Sequence, residues 1–168
     1  QSLPIQRVVS SGEIRVGTTA DRPPFSMLDR EGKRMGLEVD LVQLLGDTMH
    51  VKVTFVELPF AELIPALERG EIELAAAGMT ITPERNARVA FAGPYFVSGT
   101  SLLTRSQEIA DVEELAALDL PGRRYAVLAS STSEGFARDW LPKAQIVKTP
   151  DYETAVQMLL DGQVDALL

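Results

Sequence analysis

The sequence contains no cysteine, one histidine and one tryptophan, and aromatic residues make up only 6% of its 168 positions. Without thiols there is no disulfide framework and no thiolate metal site, although this does not locate the protein, since many exported chains also lack cysteine. A single imidazole, His50, cannot build a histidine-rich zinc centre and speaks against a Ser-His-Asp triad. It falls between a helical pattern and a strand pattern, far from the polar loops described below, and reads as structural. No apolar run approaches the ~18 residues of a membrane span. Basic residues are in deficit, 16 Lys and Arg against 24 Asp and Glu, for a formal net charge of −8 at pH 7. That balance argues against a general nucleic-acid or membrane-surface binder, because both need a basic face. Glycine-rich phosphate signatures and Gly-x-Ser-x-Gly are also missing. Gln1-Ser2-Leu3 carries no leader pattern and reads as a mature or trimmed end.

What is present is an ordinary globular composition, 45% hydrophobic and 24% charged, long enough for one domain or two small lobes. Residues 14–18 alternate and are β-branched, which predicts a first strand, and Pro23-Pro24 breaks the segment that follows. Residues 29–33 form a polar hairpin tip. From 39 to 49 the spacing of Leu41, Leu44, Leu45 and Met49 predicts a helix with those residues on its apolar face. A strand over 51–56, a helix over 60–69 ending at Gly70, and a strand over 72–77 complete a β-α-β-α-β order, the pattern of an open α/β sheet. A short charged helix over 83–88 and an extended segment over 100–104 follow, then a helix over 111–118 with Asp111 as its N-cap. A second α/β pattern starts at Arg124: strand 125–128, a helix to about Trp140, strand 145–147, helix 151–161 burying Ala155, Val156, Leu159 and Leu160, and a strand from Asp165. Residues 67–75 and 159–167 echo each other: a helix end, a glycine, a β-branched residue, an acid and an apolar strand.

Two polar loops stand where predicted strands end and helices begin. The first, residues 78–85, joins small residues with exposed backbone amides to the Thr80 hydroxyl and the planar donor fork of Arg85, an anion-binding set with no nucleophile and no base in it. The second is Ser130-Ser131-Thr132-Ser133. A third candidate is the stretch 18–25, after the first strand. Phe60 opens a helix, and core packing is the plainer role for its ring. The acids of the chain lie mostly in turns or on helix faces without forming a dyad, and Ser130, Ser131 and Ser133 have no base nearby in sequence. The residues call for no catalysis, no metal and no cofactor.

In order and spacing, Ile14-Arg15-Val16-Gly17-Thr18, Pro23-Pro24-Phe25-Ser26, Gly36-Leu37-Glu38-Val39-Asp40-Leu41, Ile64-Pro65-Ala66-Leu67, Gly70-Glu71-Ile72-Glu73, Met79-Thr80-Ile81-Thr82-Pro83-Glu84-Arg85 and the segment 91–95 resemble the bacterial extracellular solute-binding proteins of family 3, the polar amino acid receptors of ABC importers. The resemblance covers almost the whole chain. It implies a periplasmic-binding-protein-like α/β fold in which two lobes, joined by a two-stranded hinge, close on the ligand. The boundaries it implies are a first lobe over 1–99, a hinge crossover over 100–107 and a second lobe over 108–168. Arg85 would then hold the ligand α-carboxylate, with Thr80 and the backbone of Ala77 and Gly78 on the head group. Ser131 and Thr132 would donate from the other lobe, Phe60 would pack on the ligand, and Thr19 would face its side chain. The expected protein is periplasmic or cell-surface, with its signal peptide removed, and it partners the membrane subunits of an ABC importer. Two other functions fit the same fold: a cyclohexadienyl or arogenate dehydratase, and the ligand-sensing domain of a membrane receptor.

Two departures stand out. Where the family has an aromatic residue lining the ligand side chain, this chain has Arg22, a cation that would oppose a Lys or Arg ligand and suit an acidic or amide one. Second, the acid expected to pair with the ligand ammonium would lie just beyond Leu168. The expectation is therefore an incomplete second lobe with weakened binding, either because the sequence is a fragment or because another chain supplies the missing segment.

Overall fold

The computed structural model describes residues 4–168. The chain divides into two compact units, Gln1–Pro94 and Tyr95–Leu168.

In unit 1, helix α1 (Pro4–Ser11) leads into strand β1 (Glu13–Thr18). A small antiparallel sheet follows, made of β2 (Asp21–Arg22), β3 (Ser26–Leu28) and β4 (Arg34–Met35). Asp29 closes its tip by accepting from the amides of Glu31 and Lys33, a side-chain turn typical of this residue. Then come α2 (Leu37–Met49), β5 (Lys52–Glu57), a 3-10 turn at Phe60–Glu62, α3 (Leu63–Arg69), β6 (Leu74–Ala75) and α4 (Pro83–Asn86). The main sheet runs β5-β1-β6, all parallel. Val16, Leu63 and Ile72 are fully buried around β1.

Unit 2 contains β7 (Leu103–Thr104), α5 (Gln107–Ala110), a 3-10 turn at Leu115–Ala117, β8 (Arg124–Leu128), α6 (Thr132–Trp140), β9 (Gln145–Thr149), α7 (Tyr152–Leu160) and β10 (Ala166–Leu167). The sheet order is β7-β10-β8-β9, parallel except for β7. The continuous apolar run of β8 is explained by burial on both faces. Tyr125 and Val127 pack with Ala137 and Leu141 on one side, and Ala126 packs with Ala155 and Leu159 on the other. The Tyr125 hydroxyl donates to the Leu118 carbonyl at 2.7 Å, so this large ring is buried with its polar end satisfied.

Several expectations need correcting. Helix α2 exposes Leu41, Leu44 and Leu45 and buries Val39, Val42 and Gly46 instead. Its rotation is set at both ends. The amides of Leu37 and Glu38 donate to the carbonyls of Pro24 and Phe25, and Gly46 lies so close to Val53 that a Cβ there would meet its side chain at 2.4 Å. The expected helix over 60–69 is split into a 3-10 turn and α3, which places Pro65 in the first turn, where a missing N–H costs nothing. The strand expected over 72–77 keeps ladder geometry only at Leu74–Ala75. Asp111 ends a helix rather than starting one, because Ser106 caps α5 upstream by accepting from the Ile109 amide. Leu160 is exposed, on the outer side of α7.

Candidate functional site

Thr18, at the carboxyl end of β1, is buried and donates to the Ser26 hydroxyl at 2.9 Å, which ties the small sheet to the main one. This bond fixes where β2 presents Arg22. The Arg22 guanidinium reaches back to the segment after β6, where Nη1 donates to the carbonyls of Ala77 and Gly78 at 2.9 and 3.0 Å. Its side chain lies directly on Gly78, where a Cβ would come within 3.0 Å of Arg22 Cδ. From the first turn of α2, Glu38 is buried and accepts from the Gly78 amide at 2.7 Å. The Ala77-Gly78 segment is thus held from two sides, by a cation on its carbonyls and a carboxylate on its amide.

Phe60, on the 3-10 turn after β5, is buried. The guanidinium carbons of Arg22 and of Arg85 each lie 5.4 Å from its ring centroid, within cation–π range. Arg85 sits on α4, which Thr82 caps by accepting from the Arg85 amide and which has Pro83 at its first position. Its Nη1 donates to the Thr80 carbonyl at 2.8 Å. Burial, followed by the like charge of Arg22, lowers the Arg85 pKa, and the neighbouring carboxylate of Glu84 offsets this in part. Two half-buried guanidinium groups thus share one phenyl ring. Thr19 lies just before Arg22, and its hydroxyl oxygen is buried with no hydrogen-bond partner, an arrangement that calls for a further acceptor or donor.

Seven of the residues singled out in the sequence therefore come from unit 1: Thr19, Arg22, Phe60, Ala77, Gly78, Thr80 and Arg85. Arg22, Phe60, Ala77, Gly78, Thr80 and Arg85 are linked by the contacts above. Glu38 escaped the sequence reading as a site residue. The available signal was an acid between Leu37 and Val39 at the start of a helix.

In unit 2, the loop after β8 turns through Ala129 and Ser130 into α6. Ser131 is the N-cap and accepts from the Glu134 amide at 3.2 Å, while Glu134 accepts from the Ser130 amide at 2.7 Å. Lys148 holds the other oxygen of Glu134 at 2.6 Å. The Ser131 hydroxyl is thus oriented by an acceptor role and keeps a proton to donate. Thr132 is exposed at the first position of the helix. Among the described residues no three His, Asp or Glu side chains converge as a metal site, and no helix is long and apolar enough to cross a membrane.

Residues 14–145 match the profile of the bacterial extracellular solute-binding proteins, family 3. Among curated proteins, the chain is 33% identical over its whole length to a cyclohexadienyl dehydratase of Pseudomonas aeruginosa, covering 63% of it. It is 32% identical over 157 residues to an L-arginine-binding protein of the same organism, with 92% of this chain and 60% of the relative covered. Among solved structures, an ancestral amino acid-binding protein described as a precursor of cyclohexadienyl dehydratase superposes with a TM-score of 0.92 at 35% identity, over 98% of this chain and 73% of the other. The chain spans about three fifths of the length of these curated relatives.

Proposed function

Because the chain belongs to the bacterial extracellular solute-binding proteins of family 3, we propose that it binds a polar amino acid by its α-carboxylate and serves as the receptor of an ABC-type importer outside the cytoplasmic membrane. The observation that carries this reading is the half-buried Arg85 guanidinium, aligned by Phe60 and the Thr80 carbonyl and destabilised by burial and by Arg22. A carboxylate on Arg85 would be held by a directional, charge-assisted pair. Thr80 and the backbone at Ala77 and Gly78 hold the head group in this reading. Phe60 packs against the ligand, and the orphaned Thr19 hydroxyl meets its side chain.

A thermal-shift screen against the common amino acids, followed by calorimetry on the hits, tests the proposal. Stabilisation by at least one amino acid is expected, and no response to any of them would overturn it. Fractionation of cells expressing the full-length protein tests the location, with recovery in the periplasmic or surface fraction expected.

The 33% identity to a cyclohexadienyl dehydratase, over the whole of this chain and 63% of the relative, favours a second reading, in which the chain belongs to a dehydratase acting on a cyclohexadienyl substrate such as prephenate or arogenate. Arg85 would anchor a substrate carboxylate in that case too. Turnover of prephenate or arogenate, followed by absorbance of the aromatic product, separates a dehydratase from a receptor.

A further inference from the structure

The Ala76 amide still donates to the Gly17 carbonyl at 2.8 Å, as the edge of β6 beside β1 requires. Two residues on, the Gly78 amide donates instead to a side chain, the Glu38 carboxylate, at 2.7 Å. Glu38 is 2% exposed and stands in the first turn of α2, where the helix N-terminus favours a carboxylate. The start of α2 is itself fixed. The Glu38 amide donates to the Phe25 carbonyl at 3.0 Å, and a Cβ at Gly36 would meet the Phe25 carbonyl oxygen at 2.3 Å. Glu38 is therefore a buried acceptor on a rigid mount, and its bond to the Gly78 amide is of the strong, charge-assisted kind. At that point the chain bends, with Gly78 in the left-handed region at φ 58°. Two residues after the bend it reaches Thr80, whose carbonyl accepts from Arg85.

We infer that Glu38 is a positioning residue of the binding site: by fixing the Gly78 amide it holds the bend between β6 and Thr80 in its binding conformation before a ligand arrives, and so sets affinity from beneath the site. This rests on the amino-acid-binding reading given above. A backbone amide has one proton to donate, and that of Gly78 goes to Glu38, so the order of the bend comes from the protein and not from the ligand. Preorganisation of this kind raises affinity by removing the cost of ordering from the binding step. Loss of the acceptor moves that cost into binding. Affinity then falls for every ligand alike, while the order of preference, set by groups that touch the ligand, stays.

Amide hydrogen exchange at Gly78, read by NMR, and calorimetry with the common L-amino acids test this on the protein itself and on Glu38→Gln and Glu38→Ala. In the unsubstituted, ligand-free protein the Gly78 amide is expected to exchange at least about a hundredfold more slowly than an unstructured amide. Exchange at the unstructured rate overturns the inference without any variant, so a misfolded variant leaves it decidable. Glu38→Ala is expected to lose that protection and to weaken binding by at least about tenfold with the order of preference unchanged. Glu38→Gln keeps an acceptor at the same reach and is expected to retain both the protection and the affinity to within about threefold. Affinity lost with Gly78 still protected, or kept with the protection gone, overturns the inference, because Glu38 then acts otherwise than through that amide. A lower melting temperature with unchanged affinity in Glu38→Ala makes it a scaffold residue only and overturns it too. Each of these results leaves the amino-acid reading standing, whereas binding of no amino acid by the unsubstituted protein sinks that reading and this inference with it.

Discussion

Arg15 in unit 1 and Arg124 in unit 2 share a bonding pattern, to which Arg15 adds a bond from Nη2 to the Gly70 carbonyl at 2.7 Å. Each backbone amide donates to a carboxylate of the acid that precedes the parallel neighbouring strand, Glu73 at 3.0 Å and Asp165 at 2.8 Å. Each guanidinium grips the same carboxylate, and each arginine carbonyl accepts from the amide of that acid. Upstream, α3 ends at Gly70 and the turn after α7 places Gly162, with φ of 69° and 70°. Buried Ile72 and Val164 lead into the strand. The units diverge between the first strand and the next helix. Unit 2 crosses from β8 to α6 through Ala129, Ser130 and Ser131. Unit 1 inserts the small sheet there, and that insertion brings Arg22 to the Ala77-Gly78 segment and docks the start of α2. The shared helix-Gly-strand connection is scaffold, and the chemistry peculiar to unit 1 sits in what is inserted between scaffold elements.

The largest expected break in this comparison comes from a residue with no scaffold role. Arg85→Ala is expected to weaken amino-acid binding by at least ~100-fold in calorimetry, with a melting temperature measured alongside to separate lost binding from lost fold. Retained affinity would refute its role as the carboxylate anchor.

The paired forks come next. Glu73→Ala is expected to cost about 3 kcal/mol in urea unfolding, and Asp165→Ala roughly half of that, because the acid side chains are 6% and 31% exposed. Burial pushes Glu73 up, but the hydrogen bonds and charge of Arg15 outweigh it and leave the group below its ordinary 4.5. The Arg124 hydrogen bond holds Asp165 below 3.8 against a smaller effect of burial. For acids lowered in the folded state, the added stability is fully present above the ordinary values and disappears as pH falls through the folded ones. The two substitutions should therefore cost less near pH ~3 than near pH ~7. Equal costs at both values would argue that packing, not charge, sets the contribution of the forks.

Gly70→Ala and Gly162→Ala sharpen the likeness. At each, the left-handed backbone penalises a Cβ by about 1 kcal/mol. Around Gly162 there is open space, and Gly70 faces only the movable end of Arg7. Similar losses in the two variants are expected, and a much larger loss at one would show that the connections are not equivalent. The smallest effect is at the helix caps. Ser131→Ala and Asp151→Ala each remove a cap at a cost of about 1 kcal/mol in thermal unfolding.

Much of this was legible in the residues. The echo between 67–75 and 159–167 marked the repeated connection, because a glycine after a helix and an acid before a strand are local requirements. Thr82-Pro83 marked the start of α4 for the same reason, with a cap and a proline at the first position. Leu41, Leu44 and Leu45 misled because their spacing is compatible with a helix but does not say which face the sheet will take. Val39, Val42 and Gly46 won because Val53 and the Phe25 carbonyl, distant in sequence, fixed the rotation. Glu38 was invisible as a site residue, since its partner, the Gly78 amide, lies forty positions away.

From its order of strands, helices and turn residues, the sequence by itself determined an α/β chain with two similar halves, and it singled out Arg85. Those features follow from short-range periodicity, backbone preference and charge. Only the tertiary structure decided that Arg22 and Arg85 share the ring of Phe60 and that Glu38 and Arg22 hold the same short segment. Such contacts join a hairpin, a helix, a turn and a loop whose mutual distances no local pattern encodes, and the packing of buried side chains sets them.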